Sequence, residues 1–358
     1  MPAAPTPIER SVSFEYDYRM RCPNGHFSQV PSDLFRSQWI IAGGTVPCEV
    51  CGESIAVLNE NIAVRDPDDL ALDRERISDL AWYHTSTHAD WPPPGYAATM
   101  AEELQWSRQT MPEHVFAEMI HREQTKALHL GTYESAIENM HRRIRNQADR
   151  ASQFYLHRVS VHLAADDIDP EVRHESHEEA SQLTLDDLAP FQAVRYINIE
   201  ESPGSISLAI KPATIATIQT LPLPWTSLSV PPAAHIVEAA ALLDAEFEEI
   251  NAQLRGLPSH DFVTAVKLRR QGDADALRSA ELERRQRKGR EKFEEQMDAT
   301  YLGSMNPVVR EHFTAAVDWP ADGRAESLHR TFCAQAAPLT HGVDLIAELA
   351  RQPPRTTP

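Results

Sequence analysis

The chain holds 358 residues, with 34 Lys and Arg against 53 Asp and Glu, a formal charge of −19. An apolar share of 42% excludes wholesale disorder, no stretch approaches the roughly 18–20 apolar residues of a membrane span, and the acidic balance argues against nucleic-acid binding by the whole surface. At about 150 residues per domain the length predicts two or three domains; without a cationic-then-apolar leader in MPAAPTPIERS, and with too few cysteines for a disulfide scaffold, the chain is expected in the cytoplasm.

The first ten residues read as a flexible tail. Residues 11–65 read as a small β module carrying three of the four cysteines. Cys22 and His26 form C-x3-H, and Cys48 and Cys51 form C-x2-C after a spacer of 21 residues. Two short chelating turns on a hairpin suit a tetrahedral zinc ion. Gly25 and Gly52 stand where such turns need a permissive backbone. With all four positions filled by protein, the site is expected to be structural rather than catalytic. Cys333, alone near the C-terminus, reads as a buried apolar residue.

Residues 70–225 mix short β-branched runs (154–163, 194–199, 205–210) with helical stretches, so the fold class is α+β. Pro92–Lys126 reads as a long helical insertion, and the run from His174 to Glu179 as a solvated acidic helix rather than a metal site. Three segments stand out. Leu80–Trp91 is a strand lead-in ending in Tyr83-His84-Thr85-Ser86. Ala127–Met140 is a strand that turns at Gly131-Thr132 into a helix, with Glu134 in its first turn and Arg142, Arg143 and Arg145 near its end. Val194–Ile210 places Glu200 and Glu201 before a Pro-Gly turn.

The Pro-rich stretch 221–234 reads as a boundary. Residues 232–350 are strongly helical: 235–254, 262–297 with a break at Gly272, 306–313 and 324–349. The run from Arg284 to Arg290 reverses the sign of the chain locally, which reads as a solvated helix face or as a footprint for an acidic partner. The last eight residues read as a disordered tail.

In order, the three central segments resemble those of the ADP-ribosyltransferase superfamily, in its diphtheria-toxin and poly-ADP-ribose-polymerase-like branch. Tyr83-His84-Thr85-Ser86 is similar to its aromatic-His-Gly-Ser/Thr motif, with Thr85 at the Gly position. His129-Leu130-Gly131 with Ser135-Ala136 is similar to its strand-to-helix segment, with His129 where polymerase-like members carry Tyr. Glu201 or Glu200 matches its late acid. The resemblance implies a central split-β fold that uses NAD as a substrate and passes ADP-ribose to a protein or nucleic-acid acceptor. It also implies roles. Glu201 or Glu200 steadies the oxocarbenium-like transition state, and His84 holds a ribose hydroxyl. Thr85 and Ser86 grip the carboxamide, His129 and Tyr133 wall the nicotinamide, and Tyr83 and Gly131 belong to the same site. The arginines 142, 143 and 145 approach the pyrophosphate. The alternative is a zinc-ribbon adaptor that binds nucleic acid or protein, with an inactive central domain.

Overall fold

The computed structural model describes residues 6–41, 43–93, 111–146, 152–175, 182–225 and 227–356. The architecture is mixed α/β with small sheets and a helical C-terminal region.

The N-terminal module is two hairpins with a helix between them. β1 (Tyr18–Arg21) pairs antiparallel with β2 (Phe27–Val30), and β3 (Thr45–Pro47) with β4 (Ser54–Ala56). The 21-residue spacer, read as β, holds α1 (Ser32–Trp39) instead. Short alternating strands cannot bury enough apolar surface by themselves, and α1 supplies Phe35, stacked on Tyr18 with ring centroids 3.6 Å apart.

The central region is two sheets that meet at one point. One has the order β6-β10-β9-β8: β6 (Leu128–Leu130), β10 (Ile206–Ile210), β9 (Ala193–Ile197) and β8 (Ile168–His174). The other has the order β11-β7-β5: β11 (Ile215–Leu223), β7 (Phe154–Val161) and β5 (Trp82–Ser86). β8 lies parallel to β9, and every other neighbour is antiparallel. The sheets join where Tyr83 and Gly131 exchange two backbone hydrogen bonds of 3.0 Å. From the insertion the structure describes α2 (Glu113–Thr125); residues 94–110 lie outside the described residues, as do 176–181 of the acidic run.

α3 (Tyr133–Asn146) runs back across this junction. Thr132 starts it, its hydroxyl accepting from the Ser135 amide at 3.2 Å. Tyr133, Ala136, Ile137 and Met140 repeat at three- and four-residue spacing and are all buried. Beyond β11 come α4 (Ala234–Arg255), α5 (Phe262–Arg270), α6 (Ala274–Tyr301), α7 (Pro307–Ala316), α8 (Ala325–Thr340) and α9 (Gly342–Ala350). The break at Gly272 is present, with φ +80. A second break at His341–Gly342 splits the helix read over 324–349.

One apolar cluster joins the N-terminal module (Phe14, Tyr18, Met20, Ile55), α3 (Ile137, Met140) and the C-terminal helices (Phe293, Phe313, Leu345). The three regions read from sequence therefore share a core. Residues 6–10 and 351–356 also pack onto the central sheets, against the expectation of loose tails. Glu9 accepts from the Tyr83 hydroxyl and from Arg158 Nε at 2.6 Å, Arg10 lies over Trp82, and Arg355 pairs with Ile218 and donates to the Trp91 carbonyl. The ion pair of Glu9 with the buried Arg158 holds the N-terminal segment, and the backbone bridge to Ile218 holds the C-terminal one, where composition alone suggests solvent. No helix among the described residues is long and apolar enough to cross a membrane.

Candidate functional site

Cys22, His26, Cys48 and Cys51 form a group able to hold a metal ion, with all ligand atoms within 4.8 Å of one another. Each half is built by a tight turn. The Cys22 amide donates to the His26 carbonyl at 2.8 Å and the Cys48 amide to Glu53 at 2.7 Å. Gly25 and Gly52 take φ of +82 and +72 in those turns, a region costly for any residue with a Cβ. The Cys22 and Cys51 sulfurs are 3.8 Å apart, which is the edge of a tetrahedron with metal–sulfur bonds of about 2.3 Å. Asn24 donates its amide to Cys22 Sγ and its side chain to Cys51 Sγ. Ser28 donates to Cys48 Sγ, and that bond pulls the Cys48 thiol below its usual range. Cys333 is buried in α8, away from this group.

The central residues divide between two sides of β5. His84 is half-buried. Its Nδ1 lies 2.9 Å from the His129 carbonyl, so Nδ1 carries the proton and Nε2 keeps a lone pair. Its ring stacks on Trp91 with centroids 4.1 Å apart. Burial, with Arg143 nearby, lowers its pKa to about 3, so the ring is neutral at pH 7. His157 stands behind this stack, bonded to the Ser86 and Thr220 hydroxyls at 3.1 and 3.0 Å.

His129 contributes Nδ1 to the Tyr196 hydroxyl at 3.1 Å, while its buried Nε2 has no partner among the described residues. Burial lowers its pKa to about 4. Asn198 Nδ2 donates to Ser207 on the neighbouring strand at 3.2 Å. Asn198 Oδ1 accepts from the Glu201 amide at 3.0 Å. Glu201 Oε1 accepts from Asn139 Nδ2 at 3.0 Å and Arg142 Nε at 2.6 Å. Hydrogen bonds thus tie His84 to His129 and Tyr196, and a second set ties Ser207 through Asn198 to Glu201. α3 spans both: Arg142 meets Glu201 while its neighbour Arg143 acts on His84. Gly131 makes the packing possible, since a Cβ there would lie 2.1 Å from Ser135 Oγ and 3.1 Å from Ser207 Oγ.

Several sequence-read roles are corrected. Tyr83 and Tyr133 pack edge to face, centroids 5.6 Å apart, and turn into the core. The Tyr83 hydroxyl goes to Glu9 and the Tyr133 hydroxyl to the Pro338 carbonyl at 2.8 Å, so neither walls a ligand pocket beside His84. Alternation along β5 is the reason: residues 83 and 84 face opposite ways. The Thr85 hydroxyl is spent on the Ala136 carbonyl at 2.8 Å and that of Ser86 on the His88 carbonyl at 2.9 Å; neither is free to grip a carboxamide. Arg142 holds Glu201 rather than standing free for a pyrophosphate, and Arg143 lies over Phe154. Of the two glutamates, Glu201 is 7% exposed and enters the network, whereas Glu200 points to solvent.

Sequence reading missed Asn139, Glu138, Glu175, Tyr196, Asn198 and Ser207. A signal existed. Ser135, Glu138, Asn139 and Arg142 share one face of a helix at i, i+3, i+4 and i+7, and Tyr196 and Asn198 share one face of a strand. A separate cleft of about 470 Å³ includes Arg10, Arg65, Thr132, Glu134, Gly204 and Ser205 in its lining. None of the residues proposed from sequence for NAD lines it.

No family model, curated protein or solved structure matches the chain.

Proposed function

We propose that the chain is an NAD-dependent ADP-ribosyltransferase whose N-terminal Cys3His group holds a structural zinc ion. The observation that carries the first half is the buried Glu201 carboxylate fixed by Asn139 and Arg142, with a second hydrogen-bonded set of His84, His129 and Tyr196 at the junction of the two sheets. In this reading Glu201 Oε1 is fixed by Asn139 and Arg142, and Oε2, which takes no hydrogen bond among the described residues, accepts from a hydroxyl of the nicotinamide ribose. The neutral His84 accepts from a hydroxyl of the adenosine-side ribose at Nε2. The bond between ribose and nicotinamide breaks with its electron pair leaving on nicotinamide. The carboxylate then faces the positive charge that builds on the ribose. An acceptor group of a protein or nucleic acid takes the ribosyl carbon. The four protein ligands at a tetrahedral spacing support zinc in a closed site that braces the fold.

The test is the full chain, zinc-replete, incubated with labelled NAD with and without cell lysate, reading free nicotinamide and the macromolecule labelled. Nicotinamide release is expected. Glu201→Gln is expected to lower it by about 10²–10³, with Glu200→Gln close to wild type. Absence of release under every condition overturns the reading.

One observation favours the adaptor alternative. Trp39, Ile40, Ile41 and Val50 leave an apolar surface exposed on the Cys3His module. That reading predicts partner binding with no consumption of NAD.

A further inference from the structure

The loop that carries Glu201, between β9 and β10, is held by residues that flank the Cys3His module. The module's β1 is laddered to the segment that leaves it: Met20 bridges Ile62, and the Ala63 amide donates to the Arg19 carbonyl at 2.8 Å. Arg19 Nη1 also donates to the Val64 carbonyl at 3.0 Å. The next residue, Arg65, lies on the Glu201 loop. Its amide donates to the Gly204 carbonyl at 2.8 Å, and its guanidinium reaches Ser202 Oγ at 3.1 Å and the Pro203 carbonyl at 3.4 Å. Backbones approach so closely there that a Cβ on Gly204 would lie 2.7 Å from the Ala63 carbonyl oxygen.

The segment that enters the module reaches the same loop. The Tyr16 hydroxyl donates to Glu138 Oε1 at 3.0 Å, and Glu138 Oε2 accepts from the Ser202 amide at 2.9 Å. Arg65 closes the ring by lying over Tyr16, 4.3 Å from the ring centroid. Ser202 takes φ +49, the left-handed region, without being glycine. Such a conformation persists only where its surroundings over-determine it. From the other side Glu175 Oε2 accepts from the Ile199 and Glu200 amides at 2.6 and 3.3 Å.

We propose that Arg65, Tyr16 and Glu138 are positioning residues: they clamp the loop Ile199–Ser205 so that Glu201 stands at its place, and they join that loop mechanically to the Cys3His module. The functional consequence rests on the transferase reading; the clamp itself does not. A structural zinc would then act at a distance, by stiffening the hairpin that ends in Cys22.

The test uses the full, zinc-replete chain and reads hydrogen exchange over 199–205, thermal midpoint, and kcat against KM for nicotinamide release. Arg65→Ala and Glu138→Ala are expected to speed exchange across the loop about tenfold or more, while β7 keeps its protection. Glu138→Gln is expected to restore wild-type protection, because the amide oxygen still accepts from Ser202. In the alanine variants kcat falls while KM for NAD stays near wild type, since the loop carries the acid. Unchanged loop exchange in both alanine variants overturns the clamp, and so does a Glu138→Gln variant as exposed as Glu138→Ala. Faster exchange in a chain that never releases nicotinamide leaves the clamp standing and removes the transferase reading alone.

Discussion

The Cys3His module and the Glu201 network gather their residues by opposite routes. The four donors lie within 30 positions and meet through two turns whose geometry is local. The network draws on β5, β6, α3, β9 and β10, from His84 to Ser207, and exists only when two sheets and a helix are in register. Chelating turns write their spacing into the chain; a register-built site writes only the residue types. The first kind tolerates change in the neighbouring fold, and the second is exposed to any shift of α3.

Removing metal is the hardest blow to this contrast, and the largest effect expected. Structural zinc sites in small modules carry apparent binding free energies of about 10–16 kcal/mol. Here Tyr18, Met20, Ile55 and Phe313 belong to one core, so chelation is expected to lower the thermal midpoint of the whole chain rather than release a loose module. Cys48→Ala should abolish zinc binding, with zinc content measured by atomic emission. Cys333→Ala should keep one zinc per chain. A chelator that leaves the midpoint unmoved would separate the module from the core.

The register-built site is probed by crowding its narrowest point. Gly131→Ala drives a Cβ toward Ser135 Oγ and Ser207 Oγ, and overpacking of this kind costs about 1–3 kcal/mol. Adding Ser135→Ala removes the nearest atom and should recover part of the loss, a coupling that urea denaturation of the four variants measures. Additive losses would show that α3 does not rest on Gly131.

What could be read beforehand follows the same division. Cys22, His26, Cys48 and Cys51 were legible because each turn spans at most five residues. The β7, β9 and β10 runs were legible from β-branched content, and the break at Gly272 from the residue itself. α1 was not, because Ser32–Trp39 alternates little and becomes helical to deliver Phe35 to Tyr18. The identities of His84, His129 and Glu201 could be singled out. Which way Tyr83 and Tyr133 point could not, because that depends on which sheet face α3 covers. Glu138 and Glu175 escaped notice because a buried carboxylate looks like a solvated one until the amides it accepts from are in place.

Those two carboxyls and the buried imidazoles give a smaller, graded effect. Burial raises Glu138 to about 8 and Glu175 to about 7. The folded chain therefore binds more protons than the unfolded one from about pH 4.5 upward, and this contribution to stability is lost as pH rises toward 8. Burial lowers His84 and His141 to about 3, His129 to about 4 and His157 to about 2. Their contribution is present above about pH 6.5 and is lost as pH falls through those values. Where the windows overlap, four imidazoles outweigh two carboxyls, so the urea midpoint should peak near pH 6.5 and decline on both sides. Glu138→Gln should flatten the alkaline limb and steepen the acid limb between about pH 4.5 and 6.5. A midpoint still climbing at pH 8 would contradict the buried carboxyls.

The smallest effect belongs to the basic run of α6, the feature that stood out most in the charge pattern. Arg284 pairs with Glu281 on its own helix and Arg285 with Glu246 of α4. Arg287 lies 3.9 Å from Glu291, and Arg290 lies over Trp319. Two of the acids that balance the run, Glu281 and Glu291, sit on α6 itself, and the third, Glu246, sits on the facing helix, out of sight of a linear count. These pairs are about half exposed, with side-chain exposures of 52% and 48% for Arg284 and Glu281, and pairs of that kind contribute roughly 0–1 kcal/mol. Arg284→Ala and Arg285→Ala should each move stability by no more than about 0.5 kcal/mol in urea denaturation, with the difference fading further in high salt. If instead the run is a footprint for an acidic partner, the double variant loses salt-dependent binding to a polyanion while its stability stays where the wild type stands. That outcome would show arginines that leave their helix partners for a stronger one, and would bring the charge pattern of the helical region into the function of the chain.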